Sequence, residues 1–166
     1  MSEITHTDLP RIRERHKGER IVFCSGVFDL THAGHVLFFE DCKKHGDILV
    51  VCVGHDRMIQ YIKSQDRPVL NQAIRMKMIA ALKPVDYCLL DNIPAGENPL
   101  KTLDTVFPKL RPDVYVINDD AFDIPYREAV AERFGVQLVI LPRSCPPEFE
   151  NISTTNIIEK IRKSSA

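Results

Sequence analysis

Five short runs rich in β-branched residues recur along the chain, each followed by a longer stretch with helical patterning. That alternation restricts the fold more than any other feature. The runs are RIVFCSG (20–26), DILVVCVG (47–54), VDYCLLD (85–91), DVYVIND (113–119) and VQLVILP (136–142). The first is apolar almost throughout, as expected of a central parallel strand covered on both faces. Helices are expected between the runs. GHVLFFEDCKKHG (34–46) stops at Gly46, DRMIQYIK (56–63) is short, and 71–86 starts on an Asn71 cap and runs to Pro84. The segment 100–112 is interrupted by Pro108, and further helices are expected over 125–134 and 153–163. The pattern predicts an open five-stranded parallel sheet with helices on both faces, a single doubly wound α/β domain over 20–166. Residues 1–19 are expected to be a helical or frayed lead-in.

A chain of 166 residues suits one domain with a core of its own. Its 22 Lys and Arg against 23 Asp and Glu leave a net charge of -1, without the basic excess of a general nucleic-acid or polybasic membrane binder. The longest apolar run, ILVVCV (48–53), is far too short to cross a bilayer, and the first twenty residues lack a hydrophobic signal core. A cytoplasmic, unprocessed protein is expected. Cys24, Cys42, Cys52, Cys88 and Cys145 form no C-x-x-C pair and sit mostly among apolar residues, as buried reduced thiols do.

In sheets of this kind ligands bind beyond the carboxyl ends of the strands, near the point where strand order reverses. VFCSGVFDLTHAGH (22–35) lies at such an end. Gly26 suits a tight turn or a close backbone approach. His32 and His35 flank Gly34 where the next helix begins, and free backbone N–H groups there favour an anion. A single histidine at that place reads as a cap; two, with a glycine between them, read as donors to phosphate oxygens. Zinc pairs more often use i, i+4 spacing and no third ligand is obvious, so no metal site is assigned. Neither GxGxxG nor a GxxxxGK[ST] loop is present, which leaves side chains and helix ends to meet the phosphates.

SGVFDLTHAGH resembles the G-x-F-D-x-x-H-x-G-H signature of the cytidylyltransferase-like nucleotidyltransferases, and ISTTNIIEKI (152–161) resembles their second signature. DRPV, Arg75 and ALKPVD are similar to the middle segment, so the resemblance covers roughly residues 20–163. It implies a Rossmann-like HxGH domain in which a phosphorylated small molecule attacks the α-phosphate of a nucleoside triphosphate and releases pyrophosphate. Mg²⁺ would be carried by the metal–triphosphate substrate. Homodimers are common in such a family, and Phe38 and Phe39 would serve either an interface or the core.

The resemblance also implies roles. His32 and His35 would stabilise the reacting α-phosphate, with Lys63 and Arg75 as further phosphate ligands and Arg67 a weaker one. Gly26, Val27, Phe28 and Gly34 would line the nucleotide, while Asp29 would support the loop. Ile152, Ser153, Thr154 and Thr155 would bring hydroxyls and helix amides to the β- and γ-phosphates, although an S-T-T is also a common helix cap. Asp119, beside Asp120, would lie near the base, and Arg143 would grip the nucleotide. In the glycerol-phosphate enzymes the equivalent arginine stands closer to I-S-T-T; here SCPPEFEN intervenes, an insertion expected to reshape the base pocket or cover the acceptor.

Two subfamilies compete. LPR, NDD and ISTT look like the cytidylyltransferases of polyol phosphates, whereas GVFDLTHAGH, DRPV and STTNIIEKI look like the adenylyltransferases of heptose 1-phosphate. The latter usually carry Lys-Gly-Gly-Asp where this chain has Ile117-Asn118-Asp119-Asp120, which tilts the expectation toward CTP. A non-catalytic nucleotide-binding module and a flavodoxin-like interaction domain are the readings from other classes.

Overall fold

In the computed structural model, which describes residues 2–143, 146, 147, 149 and 152–164, all five expected strands form and a sixth joins them. The sixth is β1 (Ser2–Ile4), inside the expected lead-in, and it pairs in parallel with β4 (Tyr87–Leu90). The sheet therefore has six strands rather than five, and the first residues belong to the domain they were expected to precede. α1 (Leu9–Arg15) follows, burying Leu9 and Ile12.

The other elements are β2 (Ile21–Gly26), α2 (Ala33–Lys43), β3 (Ile48–Val53), α3 (Asp56–Ile62), α4 (Gln72–Ala80), α5 (Lys101–Leu110), β5 (Val114–Asn118), α6 (Ile124–Phe134), β6 (Gln137–Leu141) and α7 (Thr154–Ser164). Strand order is β1-β4-β3-β2-β5-β6, every pair parallel. α5 runs through Pro108 instead of breaking there. The proline stands in the last turn, where losing one amide bond costs little of the helix. α4 stops at Ala80, four residues before Pro84.

Period-two alternation divides the core into two halves. Ile21 and Phe23 face α1, α5 and α6 together with Tyr115, Leu103 and Phe107, while Val22 and Cys24 face α2 and α4 with Phe39, Met76 and Ile79. Phe39 is thus wholly buried in the core, and Phe38 is partly buried against the same cluster. Cys24, Cys42, Cys52 and Cys88 are buried free thiols; Cys145 lies outside the described residues. No helix among the described residues is long and apolar enough to cross a membrane.

From β2 the chain winds outward through β3 to β4, then returns to place β5 on the other side of β2. The crevice beyond the carboxyl ends of β2 and β5 is the topological switch point. The loop after β2 and the residues after β5 open into it.

Candidate active site

Beyond that crevice lies a cleft of about 380 Å³. Gly26, Val27, Phe28, Gly34, His32, His35, Lys63, Arg143, Ser153, Thr154 and Thr155 line it, so the two ends of the chain meet as their signatures implied.

The loop leaving β2 is held in an uncommon backbone. Phe28 and Leu30 have φ of 51° and 46°, a left-handed conformation that costs non-glycine residues about 1–3 kcal/mol each. Buried Asp29 offsets that strain. Its carboxylate accepts from the amides of Leu30 (3.1 Å), Val69 (2.9 Å) and Leu70 (3.0 Å), and Arg67 lies 3.4 Å away. Asp29 supports the loop, as expected of it. Gly26 is required by Phe28: a Cβ there would lie 2.8 Å from the phenyl ring.

His32 is the N-cap of α2. Its Nδ1 accepts from the Gly34 amide at 3.1 Å, and His35 Nδ1 accepts in turn from the His32 amide at 3.4 Å, a reciprocal capping box built from two histidines. The rings stack, centroids 3.9 Å apart at 24°, and Phe28 meets His35 edge to face at 5.5 Å. With Nδ1 the acceptor on each ring, a neutral imidazole must carry its proton on Nε2. Burial, then repulsion from His32 and Arg143, pushes His35 down to about 3; burial and Arg143 also lower His32. Both rings are therefore neutral near pH 7, each with one Nε2–H donor and no protein partner for it among the described residues.

α7 is tied to this loop. Thr154 Oγ1 donates to the Asp29 carbonyl at 2.8 Å, and Ser153 Oγ accepts from the Asn156 amide at 3.1 Å as a cap. The cap expected as the bland alternative is real for Ser153, while Thr155 remains exposed on the cleft wall. Ile152 stays off that wall; its carbonyl lies beside Gly34, 3.5 Å from where a Cβ would stand.

Two expected ligands are placed elsewhere. Arg75 is wholly buried beneath the cleft, bonded to the carbonyls of Leu70 (3.0 Å), Val27 (2.6 Å) and Gly54 (2.7 Å) and to Asp56 (2.6 Å). It braces three loops and has no face toward a phosphate. Asp119 is exposed and off the cleft wall; Asn118 and Asp120 line it instead. Asp120 holds Arg143 through Nε at 2.8 Å and Nη2 at 2.7 Å, both side chains more than half exposed. Ser144, Cys145, Glu148, Glu150 and Asn151 of the insertion lie outside the described residues.

Sequence reasoning missed Arg127, Phe122, Asp91 and Thr102. They line a second cleft of about 410 Å³ that shares Ser25, Gly26, Val27, Lys63, Phe122 and Arg127 with the first. Lys63 sits at that junction, where partial burial and then the charge of Arg67 lower its pKa.

The cytidylyltransferase-like family matches residues 23–160. Bifunctional protein HldE of Geotalea uraniireducens is 36% identical over 157 residues, 92% of this chain and 29% of that protein. Its counterpart in Hydrogenovibrio crunogenus is 33% identical over 165 residues, 98% of this chain and 32% of that protein. The chain thus spans less than a third of these relatives. Among solved structures, the lipopolysaccharide core biosynthesis protein of Thermoplasma volcanium superposes with a TM-score of 0.59 at 27% identity, covering 78% of this chain and 99% of that one. A pantoate-β-alanine ligase of Francisella tularensis reaches 0.63 at 14% identity, with 99% and 79% covered, and shares the fold alone. The matched segment holds the histidine pair and the opening of α7 in one cleft, and the chain belongs to the cytidylyltransferase-like family.

Proposed function

We propose that the chain transfers the nucleoside monophosphate of ATP to the phosphate of a sugar 1-phosphate such as heptose 1-phosphate, releasing pyrophosphate. Similarity to the HldE proteins supports ATP and a sugar acceptor over CTP and a polyol phosphate, the reading toward which Asn118-Asp119-Asp120 tilted. The observation that carries the reaction is the stacked histidine pair, its Nδ1 atoms taken by backbone amides, on the wall of a cleft that the opening of α7 also lines.

In this reaction an acceptor phosphate oxygen bonds to the α-phosphorus. The bond from that phosphorus to the bridging oxygen of the β-phosphate breaks, and its electron pair leaves with pyrophosphate. His32 and His35 donate to the non-bridging oxygens, on which charge grows; such donors are worth about 10²–10³ in rate. The α7 amides and Thr155 receive the β- and γ-phosphates. Arg143 joins them by exchanging its exposed pairing with Asp120, an interaction worth under about 1 kcal/mol. Mg²⁺ fits as a passenger on the triphosphate, where it neutralises phosphate charge. Of the carboxylates lining this cleft, Asp29 is engaged by amides and Arg67, so Mg²⁺ would be held by phosphate oxygens, with Asp120 free beside them once Arg143 has turned to the triphosphate.

Pyrophosphate release tests the proposal, with ATP and CTP separately against heptose 1-phosphate, hexose 1-phosphates and glycerol 3-phosphate. Release with ATP that requires a sugar 1-phosphate and falls at least 100-fold in His32→Ala is the expected result. CTP-dependent release with glycerol 3-phosphate would replace it by the polyol reading. Triphosphate binding without turnover, unchanged in His32→Ala, would point to a binding module instead.

A further inference from the structure

Arg127 is 8% exposed, yet no carboxylate pairs with it among the described residues. Nε donates to the Phe122 carbonyl at 2.7 Å and Nη1 to the Tyr115 hydroxyl, both neutral acceptors, and the guanidinium lies 5.9 Å from the Tyr115 ring centroid. Nη2 has no protein partner among the described residues. A buried cation without a counter-charge is expensive in a folded protein, and a ligand anion relieves it. Two other buried charges on this edge do have an ionic partner: Asp29 has Arg67 at 3.4 Å besides three amides, and Arg75 has Asp56.

The position of Arg127 selects the anion. His32, His35, Arg143 and the α7 hydroxyls line only the first cleft, whereas Arg127 and Lys63 line both. Transfer requires an acceptor oxygen within about 3–3.5 Å of the α-phosphorus, so the acceptor's phosphate has to stand where the two clefts meet. The second cleft extends beyond that point. Met58 and Leu100 contribute apolar walls, and its polar lining includes buried Asp91 and Thr102. Such a cleft suits a hydroxylated ring, whose C–H faces lie on the walls while a hydroxyl donates to the Asp91 carboxylate.

We infer that the second cleft is the acceptor subsite, that Arg127 with Lys63 holds the acceptor's phosphate at its mouth, and that Asp91 and Thr102 receive a hydroxyl of the sugar. The assignment rests on the proposed transfer reaction for its chemistry, and on the unpaired guanidinium for its position. It makes Arg127 a determinant of acceptor affinity and leaves the triphosphate to the first cleft.

The test compares wild type, Arg127→Gln, Arg127→Lys and Ile62→Glu. Ile62 is 46% exposed and lines only the second cleft, so its replacement puts a repelling charge there without disturbing the core. Steady-state pyrophosphate release gives KM for heptose 1-phosphate, and calorimetry with a non-hydrolysable ATP analogue gives its Kd. Arg127→Gln and Ile62→Glu should each raise acceptor KM at least tenfold with Kd for the analogue held within about twofold. Arg127→Lys should recover part of the loss by keeping the charge. Equal losses of acceptor and nucleotide affinity would make Arg127 a triphosphate ligand and overturn the assignment, as would unchanged KM in Ile62→Glu. If wild type releases no pyrophosphate with any pair, the reaction fails. The subsite is then judged by calorimetry with glucose 1-phosphate on the analogue-bound chain: binding that Arg127→Gln removes supports it, and absence of binding to wild type sinks it.

Discussion

Replacing His35 by Gln isolates the charge state on which the histidine pair depends. Gln is the usual residue at the third position of a capping box, so its side chain keeps an acceptor for the His32 amide while losing the titration. His35 is pushed down from 6.5 to about 3 in the folded chain, by burial first and then by the charges of His32 and Arg143. A depressed value means that the unfolded chain takes its proton first as pH falls. The associated stability is complete above 6.5 and drains away as pH drops from 6.5 toward 3. Between pH 7.5 and 5 the linkage amounts to about 2 kcal/mol, at 1.36 kcal/mol per unit once the unfolded group titrates. Urea unfolding at both pH values measures it, and an m of about 1–3 kcal/mol/M makes the effect roughly a 1 M change in midpoint. Wild type should lose about that much more than His35→Gln, because His32 and His6, which also carry lowered values, are common to both proteins. Parallel losses would refute the reasoning, and the neutral-donor geometry of the site would fall with it.

Asp29→Ala leaves three amides without their acceptor and Arg67 without its counter-charge; it should destabilise by about 3–5 kcal/mol and abolish triphosphate binding, measured by unfolding and calorimetry. Arg75→Ala should cost a similar amount of stability; a variant of native stability that has lost only triphosphate affinity would restore Arg75 as a phosphate ligand. Thr154→Val breaks the bond to the Asp29 carbonyl and should cost about 1 kcal/mol, with triphosphate affinity falling as α7 loosens from the loop. Gly34→Ala gives helix propensity a gain of up to about 1 kcal/mol, yet its Cβ would stand 3.0 Å from the His32 ring; turnover should fall much more than the melting temperature.

How legible each element was follows from how local its determinants are. β3 is buried at all six residues, and its apolar run announced it without help from neighbours. β1 is three residues, SEI, with no periodicity to read; it exists because β4 offers an open edge to pair with. The signature loops were legible because their strain, caps and glycines are local chemistry. Arg75 was visible as an arginine but its direction was not, since its acceptors come from positions 27, 54 and 56. Arg127 sits in PYREAV, which reads as a solvated helix face, and only the packing of α6 against Tyr115 of β5 removes it from water. The junction of the two clefts is likewise a product of strand order, and strand order is what a one-dimensional pattern leaves open.

The histidine pair shows why weighing a cap against a ligand poses the wrong alternative at this site. An imidazole has two nitrogens, and capping occupies only Nδ1 of each ring. By accepting backbone amides, the two Nδ1 atoms fix the tautomer, and the fixed tautomer points the only remaining donor of each ring away from the helix. Aspartate in the same cap would satisfy the amide but has no donor, and the O–H of serine sits on the accepting atom itself and not across a ring. Burial adds the other requirement: it lowers both rings first, Arg143 adds to it for each, and His32, stacked at 3.9 Å, adds to it for His35, so both stay neutral. A neutral donor pair binds phosphate without the competing affinity of a carboxylate for a charged imidazole. Secondary structure and chemistry here are therefore one arrangement: the start of α2 is built by the same atoms that prepare it for an anion, and a change that spares the cap but moves the rings should leave a folded, inactive protein.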